Sequence, residues 1–359
     1  MSTTGKRAKP YRVVQWATGN IGTRSLRTVI EHPNLELVGL YVYSEHKAGR
    51  DAGELCGLGP VGVKATRDIE EILALRPDCV LYMPLSPEVD EVCKLLASGA
   101  NVVTTRTEFF NPAHLEAEDR ERVEDACRRG SSSLHSNGSS PGFITEALPL
   151  VLMSLQRRLD CLHIHEYADV SSRNSPELLF DIMGFNQSRE EASSEGRAWY
   201  LRSAFGASLE VVANALGLTF DSIEAVGEVA CARKQTRIAA GVVEAGKVAA
   251  QRTTVTGFRD GKPLCTFTAN WFVTQDIDAD WKLRANGWSV TVEGDTPLQV
   301  DIGFPVPAER WAEVSPGLTA HRAVNAVPYV CDAAPGIRTS VELPQIVADL
   351  SPQAVGRIR

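Results

Sequence analysis

The sequence predicts an α/β protein: an N-terminal Rossmann doubly wound parallel sheet, followed by a second α+β domain built on a mostly antiparallel sheet. Three observations carry this. Short apolar runs alternate with helical patterns over the first 136 residues. A glycine-bearing turn, Ala17-Thr18-Gly19-Asn20-Ile21-Gly22, separates the first of those runs from the helix after it. Beyond residue 160 the helical patterns thin out and long β-branched runs take over.

Residues 11–16 (YRVVQW) read as a strand, and SLRTVIEH after the turn reads as a helix. A second strand over 35–43 follows the turn at His32-Pro33-Asn34, which completes a β-α-β unit and makes its strands parallel. The alternation goes on with a helix at 68–75, a strand at 79–83, a helix at 87–98 and a strand at 101–105. A helix at 114–129 and a strand at 133–136 close the first sheet. An apolar helix at 144–156 then leads into strands at 161–168, 222–231, 241–257, 265–272, 288–293 and 298–304, with one long helix at 188–216. Residues 321–329 turn helical again before Ala334-Pro335-Gly336. The domain limits that follow are 1–143 for the sheet with the glycine turn, 144–318 for the second domain, and 319–359 for a segment that returns to the first.

Composition narrows the function. With 359 residues and 43% hydrophobic content the chain can fill the cores of two domains. A net charge of −8 and no long Lys/Arg run argue against nucleic acid, whose phosphates need clustered cations. No apolar stretch reaches the 18 or so residues of a membrane span, and no apolar signal core follows MSTTGKRAKP, so a cytoplasmic protein with no membrane partner is expected. Eight scattered cysteines form no C-x-x-C pair. They read as small buried hydrophobes in a reducing compartment, and no metal site is expected.

The turn sits where a dinucleotide fingerprint belongs. Gly19 and Gly22 fill its second and third glycine positions, and Ala17 replaces the first. Thr18, Gly19, Asn20, Ile21 and Gly22 would then hold the pyrophosphate on backbone N–H groups at the helix start. The second strand ends Tyr43-Ser44-Glu45-His46-Lys47, with Arg50 beyond. Ser44, His46 and Lys47 suit a 2′-phosphate, and Glu45 stands one residue later than the usual ribose acid, which favours NADP with NAD possible. The plainer reading makes 46–50 a solvated loop. Pro84 and Leu85 after the fourth strand, and Thr105 after the fifth, lie at the carboxyl edge of the sheet, where nicotinamide contacts arise.

The runs VVQWATGNIG, LVGLYVYSEHKAGRDAGELCG and NVVTTRTEFFNP, with EYADVSSRNSPELLFDIMGF and HRAVNAVPYVCDAAPGI, resemble the dihydrodipicolinate reductase-like superfamily. Within it they are most similar to the branch of 2,4-diaminopentanoate dehydrogenases and native amine dehydrogenases. The resemblance implies a homodimer formed through the second-domain sheets and interconversion of an amine with a ketone or aldehyde and ammonia. It also implies that Glu108, in Thr107-Glu108-Phe109-Phe110, is the catalytic carboxylate. Dihydrodipicolinate reductase itself fits less well, because its paired histidines with a nearby lysine and its substrate loop have no counterpart. The approach made by Ser136-Asn137-Gly138-Ser139-Ser140 lacks the basic cluster a dicarboxylate needs.

Reductive amination asks a carboxylate to take a proton from ammonium, assist loss of water from the carbinolamine and favour the iminium. Glu108 would serve all three, although a loop glutamate is more often a solvated surface residue. Phe143 and Tyr167 would wall an apolar pocket with Asp169 nearby, and Asn137 and Asn325 would bond the nicotinamide carboxamide. Each has a structural alternative: Asn137-Gly138 is an ordinary turn pair, and Tyr167 suits a strand core. His163 and His165 alternate on one strand face, which points to structure or a dimer contact before a metal. Trp199, Trp271, Phe272, Trp281 and Trp288 suit a substrate pocket or a buried dimer sheet. Two alternatives stand beside the amine dehydrogenase: another oxidoreductase of the superfamily, reducing a carbonyl or imine, and a dinucleotide-binding sensor without catalysis.

Overall fold

The computed structural model describes residues 9–192 and 195–350. It divides into two compact units, one reaching to Ser140 and resuming at Pro316, the other spanning Pro141–Ser315.

In the first unit the elements run β1 (Tyr11–Trp16), α1 (Asn20–Glu31), β2 (Leu35–Tyr41), α2 (Ala52–Leu55), β3 (Ala65–Thr66), α3 (Ile69–Ala74) and β4 (Cys79–Tyr82). They continue with α4 (Val89–Ala97), β5 (Asn101–Thr104), α5 (Ala117–Gly130) and β6 (Ser133–Ser136). The sheet order is β15-β6-β5-β4-β1-β2-β3, where β15 (Gly336–Arg338) is a late strand beside β6. Every pairing in it is parallel. The chain winds outward from β1 to β2 and β3, then crosses to β4, β5 and β6, so the strand order reverses between β1 and β4. Ligands of such sheets bind at the carboxyl ends of the strands at that reversal.

Both faces are covered, as a parallel sheet requires. Val14, Trp16, Val80, Tyr82 and Val102 pack with α4 and α5 on one side. Tyr11, Val13, Cys79, Leu81 and Val103 pack on the other against Ala323, Val324, Val327 and Val330, from the later part of α8 (Ala308–Cys331). The expected helix at 114–129 starts late: Asn111 caps a single 3₁₀ turn at Pro112–His114, and α5 begins at Ala117. Proline at the first position of that short turn favours such a local stop. β3 and β15, two and three residues long, are too short to show in the sequence pattern.

The second unit has α6 (Leu148–Met153), β7 (Leu159–Asp169), α7 (Glu195–Ala215), β8 (Ser222–Cys231), β9 (Thr236–Ile238) and β10 (Gly241–Val243). After them come β11 (Val248–Arg259), β12 (Lys262–Phe272), β13 (Gly287–Gly294) and β14 (Leu298–Gly303). Its six-stranded sheet has the order β14-β13-β7-β12-β11-β8 and is antiparallel throughout save for the parallel pair β7 and β12. The single strand expected over 241–257 is in fact two: a turn with Gly246 at φ +78 breaks it, a conformation glycine adopts without strain. The helix expected at 144–156 is a π-helical stretch, Ser139–Ala147, leading into α6.

Candidate active site

The turn after β1 is built by close contacts in the first unit. Gln15, fully buried, donates from Nε2 to the carbonyl oxygens of Trp16 and Ala17 at 3.1 Å each. Ala17, in the first glycine position, takes φ +69, a left-handed conformation that costs a non-glycine residue about 1–2 kcal/mol. A Cβ placed on Gly22 would lie 2.3 Å from the Ala17 carbonyl oxygen, so helix and turn can approach only with glycine there. Gly19 differs: a Cβ there meets no protein atom within 4 Å, and its φ of −73 is ordinary. Nothing among the described residues demands glycine at 19, whereas a bound pyrophosphate would.

Gly19 is the N-cap of α1, and the helix has neither a side-chain cap nor an acidic residue in its first turn. Its unpaired N–H groups and positive dipole end are therefore available to an anion. The Lys47 ammonium joins them, donating to the Thr18 carbonyl oxygen at 3.1 Å and to Thr18 Oγ1 at 3.0 Å. Lys47 thus belongs to the glycine turn, while Ser44 is half-buried and His46 and Arg50 are exposed on the loop after β2.

Tyr43 stands one residue before the position a ribose acid would take. Its hydroxyl receives the Trp16 Nε1–H at 2.9 Å and donates to Glu91 Oε2 at 2.8 Å, and the Tyr82 hydroxyl donates to that same oxygen at 2.7 Å. Burial, with the Glu91 carboxylate beside them, holds both phenols above their usual range. Sequence reasoning passed over Gln15, Tyr43, Tyr82 and Glu91. The one visible signal was Gln15, a polar residue inside an apolar strand.

At the carboxyl edge Pro84 is buried and Leu85 is 91% exposed. Thr104 is fully buried, and its Oγ1 accepts the Arg106 N–H at 3.2 Å; Thr105 is half-buried. Glu108 lies on the 3₁₀ turn Thr107–Phe109 that follows β5, anchored by the buried Phe109. Its side chain is 41% exposed and accepts from Arg106 Nη2 at 2.7 Å, while the Ser136 hydroxyl holds the Arg106 carbonyl at 2.7 Å.

Asn137 follows β6. Its N–H donates to the Thr104 carbonyl at 3.0 Å, it is fully buried, and neither its Oδ1 nor its Nδ2 has a partner among the described residues. A buried amide with both ends open is costly unless a ligand completes it, and a carboxamide matches it donor to acceptor. Asn325 is half-buried on α8. The residues present therefore fit a nicotinamide dinucleotide.

In the second unit Phe143 lies 6.2 Å from the Trp288 ring, and the Trp288 and Trp271 indoles donate to Glu166 Oε2 and Oε1 at 3.0 Å each. Tyr167 turns the other way along β7: it neighbours His165 and lies beneath the Arg284 guanidinium. The strand pleat separates Phe143 and Tyr167, so these two do not wall one pocket. Asp169 is the last residue of β7, its Oδ1 accepting the Ser171 N–H at 2.9 Å. Among the described residues no three His, Cys, Asp or Glu side chains are placed to hold a metal, and no helix is long and apolar enough to cross a membrane.

Comparison with known proteins agrees with this arrangement. Residues 13–134 match the family model described as dihydrodipicolinate reductase, N-terminus, and residues 194–354 match the 2,4-diaminopentanoate dehydrogenase C-terminal domain. An amine dehydrogenase of Streptomyces virginiae is 29% identical over 357 residues, covering 96% of this chain and 98% of that protein. A 4-hydroxy-tetrahydrodipicolinate reductase of Synechococcus elongatus is 31% identical over 130 residues, 32% of this chain and 45% of that protein. The structure of an amine dehydrogenase from Mycobacterium smegmatis shares the fold, with a TM-score of 0.75 at 22% identity over 94% of this chain and 97% of that one. The chain is an oxidoreductase of the dihydrodipicolinate reductase-like superfamily and belongs to its diaminopentanoate and amine dehydrogenase branch.

Proposed function

We propose that this chain is an NADP-preferring amine dehydrogenase that reductively aminates a small ketone or aldehyde with ammonia and runs the reverse oxidative deamination. The observation that carries the reading is the Glu108 carboxylate, which projects from the turn after β5 at the carboxyl edge of the sheet that bears the glycine turn. A dinucleotide-binding sensor needs no such group. The cofactor, when bound, supplies or takes the hydride.

The chain's own residues do the rest. Gly19 and the open α1 terminus bind the pyrophosphate, with Lys47 adding charge at Thr18. Asn137 orients the nicotinamide through its two amide atoms, which have no partner among the described residues. Glu108 takes a proton from ammonium so that ammonia can attack, returns one as water leaves the carbinolamine, and stabilises the cationic iminium that receives hydride. Arg106 fixes the direction of Glu108 through their hydrogen bond. The preference for NADP rests on Ser44 standing where an acid would hold the ribose, with His46 and Arg50 beyond it. A homodimer through the sheet of the second unit, and a cytoplasmic location, complete the proposal.

The test follows NADPH and NADH oxidation with ketones and aldehydes, with and without ammonium at alkaline pH. Ammonium-dependent oxidation is expected, with a lower KM for NADPH. Glu108→Gln should lower kcat by about 10²-fold or more while NADPH still binds. Full activity in that variant would overturn the assignment of the catalytic carboxylate.

A further inference from the structure

An aromatic cluster closes the carboxyl edge of the first sheet, and one of its rings faces outward. Trp16 stacks on Tyr41 with ring centroids 3.7 Å apart, and Tyr82 lies 5.7 Å from Trp16. Trp16 and Tyr82 are fully buried. Tyr43, two residues beyond the end of β2, meets Tyr41 edge-on at 5.3 Å and is 43% exposed.

Tyr43 is inverted. A surface tyrosine ordinarily buries its ring and leaves its hydroxyl in water. Here the hydroxyl is the sheltered end: it accepts the Trp16 Nε1–H, donates to Glu91 Oε2, and has its pKa raised first by burial. The area that the side chain exposes therefore belongs mainly to the ring, an apolar surface that a stacked ligand would take out of water.

The anchoring is redundant. Glu91 Oε2 also accepts the Tyr82 hydroxyl at 2.7 Å, and that hydroxyl accepts the Glu88 N–H at 2.9 Å. Residues of β1, β4 and α4 thus converge on the Tyr43 hydroxyl, so the ring is held in one direction. A platform fixed before binding loses little entropy when a flat ligand stacks on it.

Topology names the ligand. A pyrophosphate at the glycine turn places one half of a dinucleotide over β2 and β3 and the other over β4, β5 and β6. Glu108 follows β5, so the nicotinamide belongs to that side. The adenosine half then falls on the side of β2, where Tyr43 stands. Purines stack on aromatic side chains through their π faces.

We propose that the exposed ring of Tyr43, held by Trp16 and Glu91, is the platform on which the adenine of the dinucleotide stacks. The inference deepens the cofactor reading above and rests on it. No bond forms or breaks at Tyr43; its contribution is to binding, apart from the chemistry of Glu108.

The experiment measures binding with no carbonyl compound or amine present. Wild-type protein, Tyr43→Ala and Tyr43→Phe are titrated with NADPH, with 2′,5′-ADP as its adenosine half, and with reduced nicotinamide mononucleotide as the other half. Both variants lose the bonds to Trp16 and Glu91, and only Tyr43→Ala loses the ring. Tyr43→Ala should weaken NADPH and 2′,5′-ADP by about tenfold and leave reduced nicotinamide mononucleotide unchanged. Tyr43→Phe should keep most of the affinity for all three. An etheno-adenosine analogue of the cofactor should lose fluorescence by stacking on wild-type protein and on Tyr43→Phe, but not on Tyr43→Ala.

Equal affinity of wild-type protein and Tyr43→Ala for 2′,5′-ADP overturns the inference. An equal loss in Tyr43→Ala and Tyr43→Phe does so too, because the hydroxyl bonds and not the ring would then be its source. Wild-type protein that binds reduced nicotinamide mononucleotide but not 2′,5′-ADP refutes the platform and leaves the catalytic reading intact. Binding as expected, without ammonium-dependent turnover of any carbonyl compound, refutes the amine dehydrogenase reading and leaves the platform standing. Wild-type protein that binds none of the three nucleotides overturns both.

Discussion

Ala17 carries a conformational cost at the centre of the cofactor turn, and its surroundings explain why it persists. Its carbonyl oxygen receives the buried Gln15 amide, and its N–H donates to the Tyr41 carbonyl at 2.9 Å. Its methyl group lies in the core beneath the sheet, which offsets the strain of φ +69. Ala17→Gly should therefore change stability by less than about 1 kcal/mol, because relief of strain is balanced by lost burial and greater chain entropy. Ala17→Val should cost about 2 kcal/mol or more, since a β-branched residue resists that φ. Urea denaturation of the three proteins checks the order. Glu108 teaches a different lesson at this scale. Its place in the chain was legible, but its ion pair with Arg106 was not, because the pairing depends on how the 3₁₀ turn after β5 points two side chains.

At the scale of the element, the start of α1 separates glycines kept for folding from those kept for a ligand. Gly22→Ala forces a Cβ against the Ala17 carbonyl, so helix or turn must move; a loss of about 1–3 kcal/mol is expected, together with weaker NADPH binding. Gly19→Ala meets open space and should cost no more than about 1 kcal/mol, yet it should weaken NADPH binding as strongly. Denaturant titration paired with cofactor fluorescence reads both quantities. The strand β7 shows what periodicity can and cannot give. Alternation located the strand from sequence. Only its pairing with β12 and β13 revealed that Glu166 faces Trp288, with Tyr167 on the opposite side.

Across the whole molecule, buried histidines set a pH dependence. His135 lies wholly inside the first unit, where burial pushes its pKa down to about 4 from 6.5 although the Arg338 carbonyl 2.7 Å from Nδ1 favours the proton. The folded state holds it neutral, whereas the unfolded chain takes a proton below pH 6.5. Stability is then full above pH 6.5 and falls as the pH drops towards 4, by about 3 kcal/mol for this one group. Burial lowers the pKa of His32, His165 and His321 as well, so they act with the same sign. Urea midpoints should decline between pH 7 and pH 5, and His135→Leu should flatten that decline. A midpoint unchanged over this range contradicts the neutral state of His135.

By itself the sequence determined the parallel first sheet, the glycine turn, the place of Glu108 at a strand end and the mostly antiparallel second sheet. Each of these is written in local periodicity or in short-range steric demands. The tertiary structure alone decided that Lys47 serves the glycine turn, that Tyr43 and Tyr82 share Glu91, and that both amide atoms of Asn137 lack a partner among the described residues. These facts concern which polar groups meet after burial. Burial and pairing are settled by residues far apart in the chain, and their cost exists only once water has been excluded.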